Sequence, residues 1–409
     1  MSTRSPLVRR ALARLLRSAL LLCSLCVPLA IGSGQSGSAV RYSDGGPEPM
    51  LEQVFRQIEH KRLDLALEQV DALLHLWPNF RLAHLIRGDL LLARASALTT
   101  IGNAPNAPAD RLADLRDEAI VRIRAYRDKP PADRVPRHLL QLPADQRHAV
   151  VVDTRRSRLY LYENIDGRPR FVADWYVSHG RLGIEKMREG DKKTPVGVYQ
   201  VTGFLPPERL TDFYGAGALP INYPNAWDRK QGRNGHGIWL HGTPSDTFSR
   251  PPRASDGCVV LANPDFEALN QYLRGEPVTV VISDQVEWLT LDDWQAERKE
   301  FGQALEQWRL DWESRDTERL LSHYSRRFSA DGKDYEAFAR NKREVNAAKK
   351  WIKVDVRKVS TLRNPGRDEL VVVTFEQDYR SDNVNSVMRK QQYWQKEDGR
   401  WRIVYEGAA

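Results

Sequence analysis

The chain has 409 residues, with 62 Lys and Arg against 54 Asp and Glu, a formal charge of +8 and a pI near 9.3. That length exceeds one ordinary domain and accommodates two or three, each with its own core. The basic excess is mild and no Lys/Arg cluster is interleaved with aromatics, which argues against nucleic acid and leaves a polyanionic surface such as a cell envelope compatible.

At the N-terminus, Arg4, Arg9, Arg10, Arg14 and Arg17 precede an apolar run from Ala19 to Ile31 and the small residues "GSGQSGSA". This is the layout of a cleaved export signal, with an apolar run short for a membrane span. Residues 1–39 are therefore assigned to signal and linker, and membrane attachment is expected only if that segment is retained. Cleavage removes Cys23 and Cys26 and leaves Cys258 alone where paired cysteines normally become disulfides. A single exported cysteine is either a buried inert hydrophobe or a retained reactive thiol.

Residues 40–135 are expected to be helical. Leu51, Val54, Ile58, then Leu65, Ala66, Val70 and Leu73 fall at helical spacing, Pro78-Asn79 interrupts, and the pattern resumes at Leu82, Ile86 and Leu90. This resembles one tetratricopeptide-like helical hairpin without a second copy, and a helical spacer packed on the next domain reads the same way.

Near His148 the period becomes extended. "HAVVVDTRRSRLYLYENIDGRPRFVADWYVSHG" predicts three strands with turns at residues 154–156 and at Asp166-Gly167. "TPVGVYQVTGF", "GIWLHG", "GCVVLAN" and "PVTVVIS" continue the series, so residues 147–283 form a mostly β unit, a sandwich or open barrel. The stretch between Phe204 and Gly235 carries Tyr214, Tyr223 and Trp227 and is expected to be a lid. One helix interrupts the strands, with Asn263 as its N-cap and Pro264 at the first helical position. From residue 295 a helix carrying Phe301, Leu305, Trp308 and Trp312 on one face precedes several strands. Residues 295–409 thus form an α+β module with a curved antiparallel sheet.

The chemistry concentrates in "IWLHGTPSDTFSRPPRASDGCVVL", where His241 ends one strand and Cys258 opens another, 258 − 241 = 17 positions on. An imidazole beside a thiol is the usual route to a thiolate at neutral pH and to a proton donor for a leaving amine. Gly257 permits a tight turn in which the N–H groups of Gly257 and Cys258 could hold an oxyanion. Composition and spacing alone leave acyl transfer through Cys258 even with a structural cysteine.

The pattern "HGT" followed by "SxGC", with the supporting run "TPVGVYQV", resembles the YkuD-type L,D-transpeptidases over about residues 147–283. The resemblance implies a β-rich catalytic fold, a periplasmic or cell-envelope location and attack on the stem peptide of peptidoglycan, with no cofactor. By this resemblance Cys258 is the nucleophile, His241 its base and later acid, and Gly242 supplies the carbonyl that orients the imidazole. Ser255 and Gly257 match the motif. Asp256 stands where histidine is frequent, and Val260 where arginine or asparagine is usual. These departures are closer to the YafK-like branch, which implies either a transpeptidase or a hydrolase that detaches a wall-linked lipoprotein. The tail from residue 295 resembles a nuclear-transport-factor-two-like domain.

Ser255, Tyr223, Arg253 and His236 are the candidate substrate-binding residues, His236 as a supporting or structural group. His179 could line the cleft. Arg229, Arg233, Arg250 and Arg253 flank the motif and could bind stem carboxylates, although singly each reads better as a solvated loop charge. Asp246, Asp256 and the histidines form no recognisable metal set. From a different class, the chain could be a catalytically degenerate wall-binding scaffold whose flanking modules recruit partners.

Overall fold

In this computed structural model the described residues are 46–409, apart from 97–99, 104–106, 276, 331 and 367–368. The export signal expected over residues 1–39 lies outside them.

Four helices open the described chain: α1 (Glu48–Glu59), α2 (Leu63–Leu76), α3 (Arg81–Leu92) and α4 (Ala109–Arg127). Their apolar stripes meet in a core of Leu51, Val54, Ala66, Val70, Leu73, Ile86 and Leu90. Leu65, assigned to that stripe from spacing, is exposed instead. Two short strands follow, β1 (Val135–Pro136) and β2 (Leu139–Gln141).

The central unit contains β3 (His148–Asp153), β4 (Arg158–Ile165), β5 (Arg168–Tyr176), β6 (His179–Gly180), β7 (Gly197–Gln200), β8 (Ala218–Pro220), α5 (Ala226–Lys230), β9 (Trp239–His241), β10 (Arg253–Ser255), β11 (Val259–Val260), α6 (Asn263–Leu273) and β12 (Thr279–Ser283). Its main sheet has the order β5-β4-β3-β12-β7, with β12 parallel to β3 and antiparallel to β7. A second, three-stranded sheet has the order β11-β9-β8, and β6 and β10 form a parallel pair beside it.

All six residues of β3 are buried. A strand covered on both faces needs no polar alternation, which is why "HAVVVD" reads as a continuous apolar run. One face of the main sheet offers Val150, Val152, Leu159 and Leu161 to Leu240, Val259, Phe266 and Leu269, the core beneath the His241–Cys258 motif. The opposite face offers Ala149, Val151, Tyr160 and Tyr162 to Leu362, Val372, Tyr393 and Val404.

Those last residues belong to the C-terminal module: β13 (Trp288–Leu289), α7 (Leu291–Glu313), α8 (Thr317–Ser322), β14 (Ser329–Ala330), β15 (Lys333–Asp334), α9 (Tyr335–Ala347), β16 (Ile352–Arg363), β17 (Leu370–Ser381), β18 (Asn385–Glu397) and β19 (Arg400–Ala408). Thr290 caps α7 by accepting a hydrogen bond from the Asp293 N–H. Phe301, Leu305, Trp308 and Trp312 all pack from α7 onto the antiparallel sheet, as their spacing predicts. The sheet has the order β19-β18-β17-β16-β2. Residues 135–141 pair with this module, β1 on β13 and β2 on β16. Among the described residues no helix is long and apolar enough to cross a membrane.

Candidate active site

Strands β9 and β11 run parallel, with Val259 opposite Leu240 and Val260 opposite His241. Continuing that register sets Cys258 beside Trp239, so Cys258 and His241 project from the same face, one strand apart and two residues along. His241 is buried, and its Nδ1 lies 2.7 Å from the Gly242 carbonyl. A carbonyl only accepts, so Nδ1 carries the proton and Nε2 presents its lone pair. This is the contact expected of Gly242.

A Cβ on Gly242 would collide with Asn263 Oδ1 and come within 2.9 Å of the Ala216 amide, so close packing makes a glycine necessary there. Asn263 does not cap α6, whose N-cap is Ala262. Its Oδ1 accepts from the amides of Ala216 (2.9 Å) and Thr243 (3.1 Å), and its Nδ2 donates to Thr243 O (2.8 Å), tying the lid to the strand end. The cap expectation fails because this side chain has longer-range partners.

The loop before the thiol is held internally. Ser255 Oγ donates to Cys258 O (2.6 Å) and accepts from Gly257 N (3.1 Å). The Gly257 amide, expected to face an oxyanion, is thus engaged within the turn, which leaves Cys258 as the remaining amide of that pair. Ser255, a candidate substrate contact, is buried, with its hydroxyl engaged within the turn. Thr194, from the "TPVGVYQV" run, accepts from the Gly180 amide (2.8 Å) and donates to Gly257 O (2.9 Å). Gly257 has φ +129°, and a Cβ there would sit 2.7 Å from Lys193 O.

Electrostatically the site rests neutral. Burial pushes the Cys258 thiol up to about 11, and burial draws the His241 imidazole down to about 4. The sequence expectation of a thiolate at neutral pH is not met, because burial of the sulfur outweighs the opposing pull of the Trp239 N–H and the Arg250 charge. The thiol donates to Gly237 O at 3.4 Å.

Of the lid, Tyr214 and Phe213 reach the site, with ring centroids 5.0 and 5.9 Å from the imidazole. Tyr214 also packs on Trp239 at 4.9 Å. Tyr223 and Trp227 do not form part of the lid. Tyr223 is buried, with its hydroxyl donating to Asn234 O (3.0 Å), and Trp227 stacks on Tyr393 of the C-terminal module at 5.0 Å. The two rings are claimed by opposite faces of the main sheet, Tyr223 by the core beneath the His241–Cys258 motif and Trp227 by the layer against the C-terminal module. His236 is largely exposed and lies 3.5 Å from Glu189, in a loop and not on a strand. Arg253 and His179 sit opposite each other on β10 and β6 and line a separate cavity of about 420 Å³ against α4. Spacing gave no warning of Phe213, Trp239 or Asn263. Among the described residues no group of three or more His, Cys, Asp or Glu could hold a metal ion.

Residues 147–282 match the model of YkuD, the L,D-transpeptidase catalytic domain, and residues 300–407 match that of the Cds6 C-terminal NTF2-like domain. The chain therefore carries a YkuD-type catalytic domain followed by an NTF2-like domain. YafK of Escherichia coli K12 is 33% identical over 97 residues, 24% of this chain and 34% of that protein, so the chain spans about a third of the length of the curated relative it matches. Among solved structures, Bdellovibrio bacteriovorus Bd1075 is 27% identical, with a TM-score of 0.60 over 68% of this chain and 98% of that one. Pgp2 of Campylobacter jejuni, a helical cell shape determining protein, is 26% identical, with a TM-score of 0.57 over 66% of this chain and 95% of that one.

Proposed function

We propose that the protein is an exported cysteine acyl transferase acting on peptidoglycan stem peptides. The observation that carries this reading is the shared face of Cys258 and His241, with Nδ1 fixed on Gly242 O and Nε2 free to accept a proton. The catalytic-domain match supports the substrate class.

In this reading Nε2 of His241 takes the Sγ proton as sulfur attacks the carbonyl carbon of the stem amide. The C–N bond then breaks, the imidazolium returns the proton to the leaving amine, and a thioester remains on Cys258. The Cys258 amide is the donor available to the tetrahedral oxyanion. An amine acceptor regenerates the thiol with a new amide, and water yields the free acid. A hydrolase releasing a wall-linked lipoprotein uses the same steps with a different amide, and the likeness to YafK is what favours keeping it as the second reading. The layout of residues 1–39 supports export to the periplasm or cell envelope. The likeness to Pgp2 supports a role in cell shape.

Incubation of disaccharide-tetrapeptide with the protein, followed by mass spectrometry, tests the assignment. Loss of the fourth residue is the expected result, with cross-linked dimer if the acceptor is an amine. An unchanged tetrapeptide would count against it.

A further inference from the structure

Arg250 is a cation without an anion. Its guanidinium lies 4.7 Å over the ring of Phe213, which itself packs on the His241 imidazole. Among the described residues the guanidinium has no hydrogen bond and no carboxylate partner. Of the other arginines near the motif, Arg181 pairs with Asp256, Arg233 with Asp228, Arg229 donates to Pro224 O, and Arg253 lines the separate cavity beside His179.

Burial lowers the Arg250 pKa, and the opposing influences on it come from the Cys258 sulfur and Asp256. An uncompensated, partly desolvated charge is costly and persists only when the surrounding structure holds it in place.

Here the N-terminal helices do the holding. Phe248 wedges against Trp77 and Phe80, at ring centroids of 5.8 and 5.1 Å. Ser249 Oγ donates to Glu118 Oε1 of α4 at 2.6 Å, and Glu118 is itself fixed by Arg122 at 2.9 Å. Asn79 and Arg81 bond to Ser245 O and Thr247 Oγ1, both at 3.3 Å. From β5, Tyr176 OH donates to the Arg250 carbonyl at 2.8 Å. Residues 245–250 are thus pinned on both sides while the guanidinium at their end lies over Phe213, whose ring packs on His241.

We propose that Arg250 anchors a substrate carboxylate beside Cys258, and that the N-terminal helices position it through Phe248 and Ser249, forming one wall of the active site. The proposal rests on the acyl-transfer reading and deepens it. The donor it selects is a peptide with a free α-carboxylate on the residue leaving with the amine, since that is the charge one residue beyond the scissile amide. The planar fork of arginine suits a carboxylate bidentately.

The test compares two synthetic stem tetrapeptides, one ending in a free carboxylate and one in a carboxamide. Release of the fourth residue is followed by mass spectrometry with wild-type protein, Arg250→Ala, Arg250→Lys and Phe248→Ala. Wild type should favour the free acid. Arg250→Ala should lower kcat/KM for the acid by about 100-fold, mainly through KM, and lower that for the carboxamide far less, so the preference collapses. Arg250→Lys should restore part of it. Phe248→Ala should weaken the preference in the same direction, by about tenfold, because the loop that carries the guanidinium loosens. The carboxamide controls for folding in each variant. An active wild type whose preference survives Arg250→Ala, or a variant that slows both substrates equally, overturns the anchor alone. A wild-type protein inert toward both overturns the acyl-transfer reading and the anchor with it.

Discussion

Cys258 and His241 project from one face of a parallel strand pair, yet the thiol donates to the carbonyl of Gly237, 3.4 Å away, and not to the imidazole. With the sulfur raised to about 11 and the imidazole lowered to about 4, both by burial, the resting pair is thiol and neutral base. Proton transfer must then accompany attack on the substrate.

The pH dependence follows with a definite sign. His241 has its folded pKa depressed, so it is the neutral, competent base throughout the range above about 4 and is lost as pH falls through that value. The acid limb of kcat/KM should lie near pH 4 to 5, well below the ~6.5 of a free imidazole. Alkylation of Cys258 by iodoacetamide should accelerate only toward pH 10 and above. An acid limb at 6 to 7, or a thiol that titrates below 8, would show a preformed ion pair instead.

Gly242→Ala should cost about 1–3 kcal/mol and most of the activity, since the new methyl must displace Asn263 Oδ1 or the Ala216 backbone. Asn263→Ala removes three hydrogen bonds that join lid and strand end, at roughly 1 kcal/mol each, and should lower kcat with little change in the remaining fold. Chemical denaturation and single-turnover kinetics on both variants check this. Wild-type values for either would contradict it.

Arg122 is buried between Glu48 (2.5 Å) and Glu118 (2.9 Å), and Arg158 bridges Glu48 (3.3 Å) and Asp174. Arg122→Ala leaves the buried Glu118 without a cation and Glu48 with Arg158 alone, and should destabilise the protein by about 3–5 kcal/mol. Thermal unfolding reads the loss directly, and a change under about 1 kcal/mol would mean that the helices are only loosely docked.

Trp227→Ala should destabilise the protein by about 3 kcal/mol, because the ring stacks on Tyr393 within 16° of parallel in the apolar layer joining catalytic and NTF2-like domains. Truncation before residue 288 should likewise expose that layer and give an aggregating protein. A truncated catalytic domain that stays soluble and monomeric would contradict the sheet-on-sheet packing.

Much of this architecture is legible locally. Strand periodicity marks the β3-β4-β5 meander, the aromatic spacing of α7 predicts its buried face, and His241-Gly242 with Cys258 marks the site. The unread features depend on distant partners. Tyr223 and Trp227 look like lid aromatics until Tyr199 and Tyr393 claim them. Asn263 looks like a cap until Ala216 and Thr243 reach it. The Gly257 amide looks free until Ser255 accepts from it, and residues 139–141 carry no strand signal of their own until β16 pairs with them. Each is decided by a contact that chain spacing does not encode.

The most direct test of the central claim is trapping of the acyl-enzyme. Wild-type protein and Cys258→Ala are mixed briefly with disaccharide-tetrapeptide, quenched in acid and weighed intact, and the adduct is mapped by peptide mass. The expected result is a thioester on Cys258, with a mass equal to the substrate less its fourth residue, and no adduct or turnover in the variant. Loss of the fourth residue by Cys258→Ala at the wild-type rate would contradict it.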